Sequence, residues 1–238
     1  MRAILLFSVV LALLGQATFA LADVTVIRTG QVGSAPGSCS GSDDSFHYYA
    51  PNAQCGQPIL PTAFTSLDFV MACTGPQAVV VTPYTPAWVG SLDCDPEARW
   101  IASSLLDPVS CWGAASSVLY CAQFTVASQC TVADSVRICW AVDDFLGDQP
   151  SYPGPNPGGI YINGADLGPA FSGPGSSPQY SAVAYNVPLN TGTNSLAVYQ
   201  RDAGCGLGGL ILSATVYTNC GTVSTEPANW GSIKSIYR

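Results

Sequence analysis

The sequence predicts an all-β fold, an antiparallel β-sandwich or jelly roll that is rich in disulfides and has a loop-rich N-terminal region. Of its 238 residues, 48% are hydrophobic and only 9% are charged, which excludes a disordered chain. The 24 glycines and 18 prolines follow no collagen period and indicate many turns. From Ala78 onward, apolar and polar residues alternate with a period of two, as in strands with one buried face.

The first 22 residues have the features of a signal peptide. Met1-Arg2 supplies a positive start, residues 3–14 are apolar, and Ala20-Leu21-Ala22 matches a small-x-small cleavage pattern. The alternative is an uncleaved membrane anchor, but the apolar run is shorter than the ~20 residues that span a bilayer. We expect a secreted, extracellular protein of a cell wall or matrix, without membrane insertion.

Ten cysteines follow the predicted signal peptide, and an even number in an exported chain predicts up to five disulfides. The sequence contains no CxxC motif and a single histidine, His47, so tetrahedral zinc patterns fail. A reactive thiol at Cys39, within Gly37-Ser38-Cys39-Ser40-Gly41, is the alternative, but no helix signal follows as a nucleophile elbow requires. The pairing cannot be derived from the sequence.

Composition and residue pattern divide the rest of the chain into three parts. Residues 23–77 form the loop-rich, cysteine-containing region, residues 78–220 the sandwich domain, and residues 221–238 a polar tail. The only helix start that we predict is Asp95-Pro96-Glu97, an N-cap followed by proline, in a short run that ends at Leu106. The predicted inward residues are Tyr120, Ala122, Phe124 and Val126; Val136, Ile138, Trp140 and Val142; Leu196 and Val198; and Leu210, Leu212, Ala214 and Val216.

A hairpin is predicted at Ile160–Leu167, with Asn163-Gly164 as its two-residue turn. Because a hairpin reverses the chain, the loop before it (Asp143–Gly158) and the loop after it (Gly168–Ser181) should meet at one rim of the sandwich. Proline-stiffened loops on a rigid sheet are suited to binding.

Several motifs occur in the order of a known fold family. Val142-Asp143-Asp144 is followed by Ile160-Tyr161-Ile162-Asn163-Gly164, then by Gly192-Thr193-Asn194-Ser195-Leu196 and by Gly206-Leu207-Gly208-Gly209-Leu210. This order resembles the galactose-binding-domain-like jelly roll of exported proteins, over residues 79–218. The resemblance implies a fold that occurs in lectins, carbohydrate-binding modules and enzyme appendages alike. It therefore predicts the function only loosely.

The charge balance narrows the class of partner. The formal charge is −8, with 7 basic and 15 acidic residues, and Lys234 is the only lysine, so nucleic-acid binding is not expected. Like-charge repulsion also disfavours sulfated and uronic glycans. We expect a neutral polysaccharide or a glycoprotein glycan as the partner.

The two predicted rim loops supply aromatic rings and planar polar groups, which are the groups that hold neutral sugars. The alternative for each aromatic is that it packs its own loop onto the sandwich. The candidate carbohydrate-binding residues are Phe145, Asp148, Tyr152, Asn156, Phe171, Gln179 and Tyr180.

Four carboxylates predict a structural calcium ion near the start of the first rim loop, since calcium takes 6–8 oxygen ligands. They are Asp143, Asp144, Asp148 and Asp202, and the alternative is a solvated acidic turn. For catalysis the sequence offers little, because adjacent Asp143 and Asp144 on a strand would point to opposite faces.

We therefore expect a non-catalytic, lectin-like protein rather than an enzyme. Two alternatives stay open: a structural wall or coat protein that self-associates in a matrix without sugar, and a glycoside hydrolase.

Overall fold

The structure is a computed structural model that describes residues 23–52, 54, 56–175 and 178–220. The predicted signal peptide, residues 1–22, and the predicted tail, residues 221–238, lie outside the described residues. In the part of the chain that is described, no helix is long and apolar enough to cross a membrane.

Strands are the main secondary structure of the described residues, which also contain one α-helix, α1 (Ser66–Thr74), and one 3-10 helix (Pro169–Phe171). The strands are β1 (Asp23–Arg28), β2 (Gln31–Val32), β3 (Ala35–Pro36), β4 (Ser42–Tyr49), β5 (Gln77–Val80), β6 (Ile101–Ala102), β7 (Leu105–Asp107), β8 (Trp112–Gly113), β9 (Val118–Thr125), β10 (Val132–Asp143), β11 (Phe145–Leu146), β12 (Ile160–Ile162), β13 (Ala165–Asp166), β14 (Gly173–Pro174), β15 (Tyr180–Pro188), β16 (Thr193–Arg201) and β17 (Gly209–Thr218).

Two antiparallel layers form a β-sandwich, as predicted. One layer has the order β1-β17-β10-β15, and the other has the order β12-β16-β9-β4. Strands β5 and β6 join the edge strand β4 of one layer to β17 of the other, beyond the end of β1. Residues 23–77, which the sequence sets apart as loop-rich, contribute β1 and β4 to the two layers.

The core lies between the layers and contains every inward residue that the alternation predicts. Tyr120 on β9, Val136 on β10, Leu196 on β16 and Leu212 on β17 are all buried in this single cluster. Their burial is the main stabilising contribution, at about 1.5–3 kcal/mol for a large apolar side chain.

Both outer faces of the sandwich are partly covered. Helix α1 and the preceding segment pack on β9 and β16, where Tyr161 and Tyr199 contact Phe64 and Phe69. On the other side, residues 81–102 cover β10 and β17, with Trp88 and Trp100 stacked at 4.3 Å between ring centroids.

The helix prediction at Asp95 is wrong, and the helix lies 29 residues earlier. At the start of α1 the Asp68 carboxylate accepts hydrogen bonds from the backbone N–H and the hydroxyl of Thr65, both at 2.7 Å. The Asp95 carboxylate is bound instead by Arg28 and Ser213, at 2.9 and 2.7 Å. Asp95 therefore links β1 and β17 to the covering loop, residues 81–102, and caps a turn rather than a helix.

Disulfides form as predicted for most of the described cysteines. Cys39–Cys111, Cys73–Cys121 and Cys130–Cys220 are bonded, and Cys205 is also in a disulfide. The expectation that every cysteine pairs is wrong for exposed Cys94 and buried Cys139, which are free thiols. Their side chains are hydrogen-bonded to each other, and burial raises the pKa of the Cys94 thiol to about 12.

Candidate functional site

The Asn163-Gly164 turn forms as predicted, with φ values of 52° and 79°, and the two rim loops do meet. They pair as short strands, with Phe145 opposite Pro174 and Leu146 opposite Gly173. Pairing gives hydrogen-bond partners to backbone groups of both loops that are withdrawn from water.

Most of the aromatic residues predicted for the rim pack into the protein. Phe171 is 2% exposed in the core and stacks on Trp140, and Phe145 is 6% exposed. Tyr180 begins β15 and also stacks on Trp140, at 6.0 Å between centroids. Tyr152 is 41% exposed and rests on Phe145. The rim therefore offers a single well-exposed aromatic ring among the four predicted.

The polar residues predicted as sugar ligands have structural partners. Asp148 is buried, bonds Arg201 Nε at 3.1 Å, and accepts the hydroxyl of Tyr199. Asn156 is buried as well, with its amide oxygen on Phe64 N and its amide nitrogen on the carbonyl of Thr62. Gln179 accepts the backbone N–H of Asp93. Asp148 and Asn156 are thus withdrawn from solvent.

Three of the four predicted calcium ligands come together in an acidic cluster: Asp143, Asp144 and Asp202. The expectation that Asp143 and Asp144 point to opposite faces is wrong, because Asp144 lies beyond the end of β10 and its carboxyl is hydrogen-bonded to that of Asp143. Burial and this contact raise the pKa of Asp143 to about 7.

Asp202 is the buried member of the acidic cluster. Neither of its carboxylate oxygens has a hydrogen-bond partner in the described part of the chain, and the same is true of the buried Gln200 Oε1. Burial, followed by the nearby Asp144, raises the pKa of Asp202 to about 6. The amides of Gly204 and Cys205 partly offset this rise without reaching hydrogen-bonding geometry.

The acidic cluster meets only part of what a calcium site needs. Its unpartnered buried oxygens are the ligand type that calcium prefers. However, within the described ranges no three His, Cys, Asp or Glu side chains are placed to share one ion. Asp148 does not join the acidic cluster, because Tyr199 and Arg201 are hydrogen-bonded to its carboxylate. Gln200, which lies between those two residues on β16, instead donates to the backbone carbonyl of Asp143 at 2.6 Å.

A groove that the sequence does not predict lies between α1, the Asn163-Gly164 turn and the start of β16, and its volume is about 450 Å³. No side chain in its lining is charged: the lining combines aromatic rings with amides and hydroxyls. It comprises Phe64, Thr65, Ser66, Phe69, Val70, Cys73, Thr74, Gln123, Asn163, Gly164, Asn190, Thr193, Asn194 and Ser195.

One side of the groove is rigid and the other has free polar groups. Asn163 and Asn194 are hydrogen-bonded to each other at 2.7 Å, and Asn194 also binds the backbone of residues 190 and 192. In contrast, the side chains of Gln123, Asn190 and Thr193 are exposed and have no hydrogen-bond partner among the described residues. These three side chains can bind a ligand without breaking an existing contact.

The rim residue Asn156 contributes to the groove indirectly. By holding the backbone at Thr62 and Phe64, it fixes the Phe64 ring, which packs edge-on against Phe69 and Tyr199 at 5.8 and 5.0 Å. Only the Thr65-x-x-Asp68 capping pattern could have revealed this wall of the groove from the sequence.

No family model matches the chain, and no curated protein matches it. Among solved structures, the chain is similar to a carbohydrate-binding module CBM36 in complex with calcium and xylotriose: identity is 8%, 54% of this chain and 87% of that chain are covered, and the TM-score is 0.30. It is also similar to the GH26-CBM35 β-(1,4)-mannanase of Podospora anserina. Here the identity is 18%, the match covers 73% of this chain and 27% of that chain, and the TM-score is 0.27.

Proposed function

We propose that the protein is a secreted, non-catalytic glycan-binding protein that takes a neutral sugar in the groove beside α1. The uncharged lining of the groove carries this proposal, because it occurs on a chain with a formal charge of −8. Neutral sugars need apolar surface for their C–H faces and amide or hydroxyl partners for their hydroxyls, and ligand pockets combine these groups in 300–1,000 Å³.

Disulfides support the extracellular part of the proposal. They persist in oxidising compartments and are rare in the cytosol, and here they join segments 48 to 90 residues apart. In particular, Cys73–Cys121 ties α1 to β9 and so holds one wall of the groove against the sheet.

The contact between Asp143 and Asp144 argues against glycoside hydrolysis by this pair. Two catalytic carboxyl groups need a separation of about 5–9.5 Å, so that a sugar or a water fits between them. The carboxyls of Asp143 and Asp144 are hydrogen-bonded to each other, which leaves no such space. Hydrolysis of mannan or xylan by the purified protein would contradict the non-catalytic part of the proposal.

Binding to neutral oligosaccharides tests the groove directly. Calorimetric titration with xylotriose and mannotriose should show binding to the natural chain, and Gln123→Ala should weaken it roughly tenfold, as expected for the loss of a hydrogen bond of about 1.4 kcal/mol. Thr125→Ala is the matched control, since Thr125 is also exposed on β9 but lies outside the groove.

Two outcomes would overturn the assignment of the groove. If Tyr152→Ala abolishes binding and Gln123→Ala leaves it unchanged, the site is the rim that the sequence predicts. If no neutral glycan binds and the protein forms assemblies without sugar, its function is structural.

A structural calcium ion at the acidic cluster is part of the proposal. The unpartnered oxygens of Asp202 and Gln200 support it, since a cation would satisfy them. At pH 8 calcium should raise the melting temperature of the natural chain but not that of Asp202→Asn, and a chelator should reverse the effect. An absence of heat in a calcium titration would contradict this part.

A further inference from the structure

Among the residues that the structure describes, none covers one end of the outer face of the β1-β17-β10-β15 layer. Two rows of paired residues cross all four strands there: Val24, Tyr217, Ser135 and Tyr185 in the first row, and Val26, Thr215, Arg137 and Val183 in the second. Paired residues of antiparallel strands project to the same side. We call this surface the tyrosine face.

The tyrosine face exposes large apolar side chains. Tyr185 is 71% exposed, Val24 and Val26 are nearly half exposed, and Tyr217 and Val183 are about two-fifths exposed. The other end of the same layer is covered by the Trp88 and Trp100 segment. Tyr185 and Tyr217 are the two aromatic rings that this face presents to solvent.

The size of the tyrosine face argues against a protein partner. Four strands about 4.8 Å apart and two rows of outward residues, about 6.6 Å apart along a strand, give roughly 250 Å². A stable protein interface takes about 800 Å² from each partner.

The chemistry of the tyrosine face fits a single polysaccharide chain. Tyr217 and Tyr185 lie in one row with β10 between them, so they are two strand spacings apart, about 10 Å. This distance matches the repeat of two sugars in an extended β-1,4-linked chain, in which alternate rings present an apolar face to the same side. Ser135, Thr215 and Arg137 lie beside the two tyrosines and can bond the sugar hydroxyls.

We infer that the tyrosine face is a second glycan-binding surface, which holds an extended, neutral β-1,4-linked polysaccharide chain laid across the strands. The inference deepens the proposed function but uses none of the groove residues. The groove would hold a short sugar segment, whereas the tyrosine face requires a chain long enough to reach both rings.

Chain length separates the two surfaces. With cellohexaose, xylohexaose and mannohexaose, the double variant Tyr185→Ala/Tyr217→Ala should lose roughly tenfold or more in affinity, as expected when exposed aromatic anchors are removed. With the trisaccharides it should bind like the natural chain. Tyr152→Ala removes a tyrosine elsewhere that is about as exposed as Tyr217, and is the control. Tyr185→Phe/Tyr217→Phe keeps both rings and should retain binding, which guards against a folding artefact.

Each result decides between the two proposals. Unchanged hexaose binding by the alanine pair, or an equal loss in Tyr152→Ala, overturns the tyrosine face and leaves the groove standing. A loss of hexaose binding when no natural trisaccharide binding exists supports the tyrosine face and overturns the groove. If the natural chain binds none of these sugars, or if the alanine pair converts a dimer into a monomer, the inference fails.

Discussion

The polar residues near the rim show how burial changes the role of a side chain. Asp148 and Arg201 form an ion pair with side chains 2% and 1% exposed, and Arg201 also donates to Ser117 and to the carbonyl of Gly56. A buried charge persists only where its hydrogen bonds are completed. Asp148, which the sequence suggests as a ligand, therefore holds the first rim loop in place through its ion pair with Arg201.

Asp143 should make the protein less stable as the pH rises. Its pKa is raised from an ordinary 3.8 to about 7, mainly by burial and then by Asp144. Between these values the unfolded chain has released the proton that the folded chain still binds, so the free energy of unfolding falls from pH 4 to pH 7 and then levels off. Asp202, with a pKa near 6, acts in the same direction.

Urea unfolding of Asp143→Asn measures this contribution. The amide oxygen can still accept the Trp88 Nε1 hydrogen bond, which is 2.9 Å long, but the group no longer titrates. We expect the variant to become progressively more stable than the natural chain between pH 4.5 and pH 7.5. Asp134→Asn, at an exposed carboxylate, is the control. A stability difference that is constant with pH would contradict the raised pKa.

At the scale of elements, the hairpin turn is both a chain reversal and a wall of the groove. Gly164 has φ +79°, and a Cβ placed there would lie 3.3 Å from Phe69 Cδ2. Gly33 has φ +60° in the β2–β3 turn, with nothing within 4 Å of the corresponding position. The two glycines share a backbone requirement but differ in what they contact.

Alanine at these two turns should separate backbone strain from contact with the groove. Gly33→Ala and Gly164→Ala should each cost about 1–2 kcal/mol in unfolding free energy, because a side chain is disfavoured at positive φ. Only Gly164→Ala should also displace Phe69 and weaken trisaccharide binding. Chemical denaturation and calorimetry on both variants check this. Equal binding by the two would show that the turn does not shape the site.

The sequence predicts the elements that depend on local patterns. Period-two alternation identifies β9, β10, β16 and β17, and Asn163-Gly164 identifies the hairpin, because each signal acts within a few residues. The helix is missed because residues 64–71 read as a short apolar stretch, although Thr65 and Asp68 carry a capping signal. Asp95-Pro96 misleads because its carboxylate is taken by Arg28 from a distant strand.

At the scale of the whole molecule, the candidate sites depend on long-range contacts. The groove joins segments near residues 64–74, 163–164 and 190–195, and the tyrosine face joins β1 to three strands more than 100 residues away. No window of sequence contains either set. Conversely, the burial of Phe171 follows from the pairing of two irregular loops, for which periodicity gives no signal.

Cys94 and Cys139 provide a test of the packing of the whole molecule. Cys139 faces outward on β10 beneath the covering loop, is 5% exposed, and shares a hydrogen bond with Cys94. The bonded cysteines cannot react with a thiol reagent, so denaturation without reductant should expose these two thiols to alkylation. In the native state at pH 8, alkylation of Cys94 should be slow despite its exposure, because a pKa near 12 leaves little thiolate.

Peptide mapping after alkylation of the denatured, unreduced chain measures which thiols are free. It should find tags on Cys94 and Cys139 and none on the bonded cysteines, which are Cys39, Cys73, Cys111, Cys121, Cys130, Cys205 and Cys220. Cys94→Ser should leave one of the two tags, on Cys139, without altering the melting curve by more than a few degrees. Untagged Cys94 and Cys139 in the denatured chain would mean that they form a further disulfide, as the even cysteine count predicts.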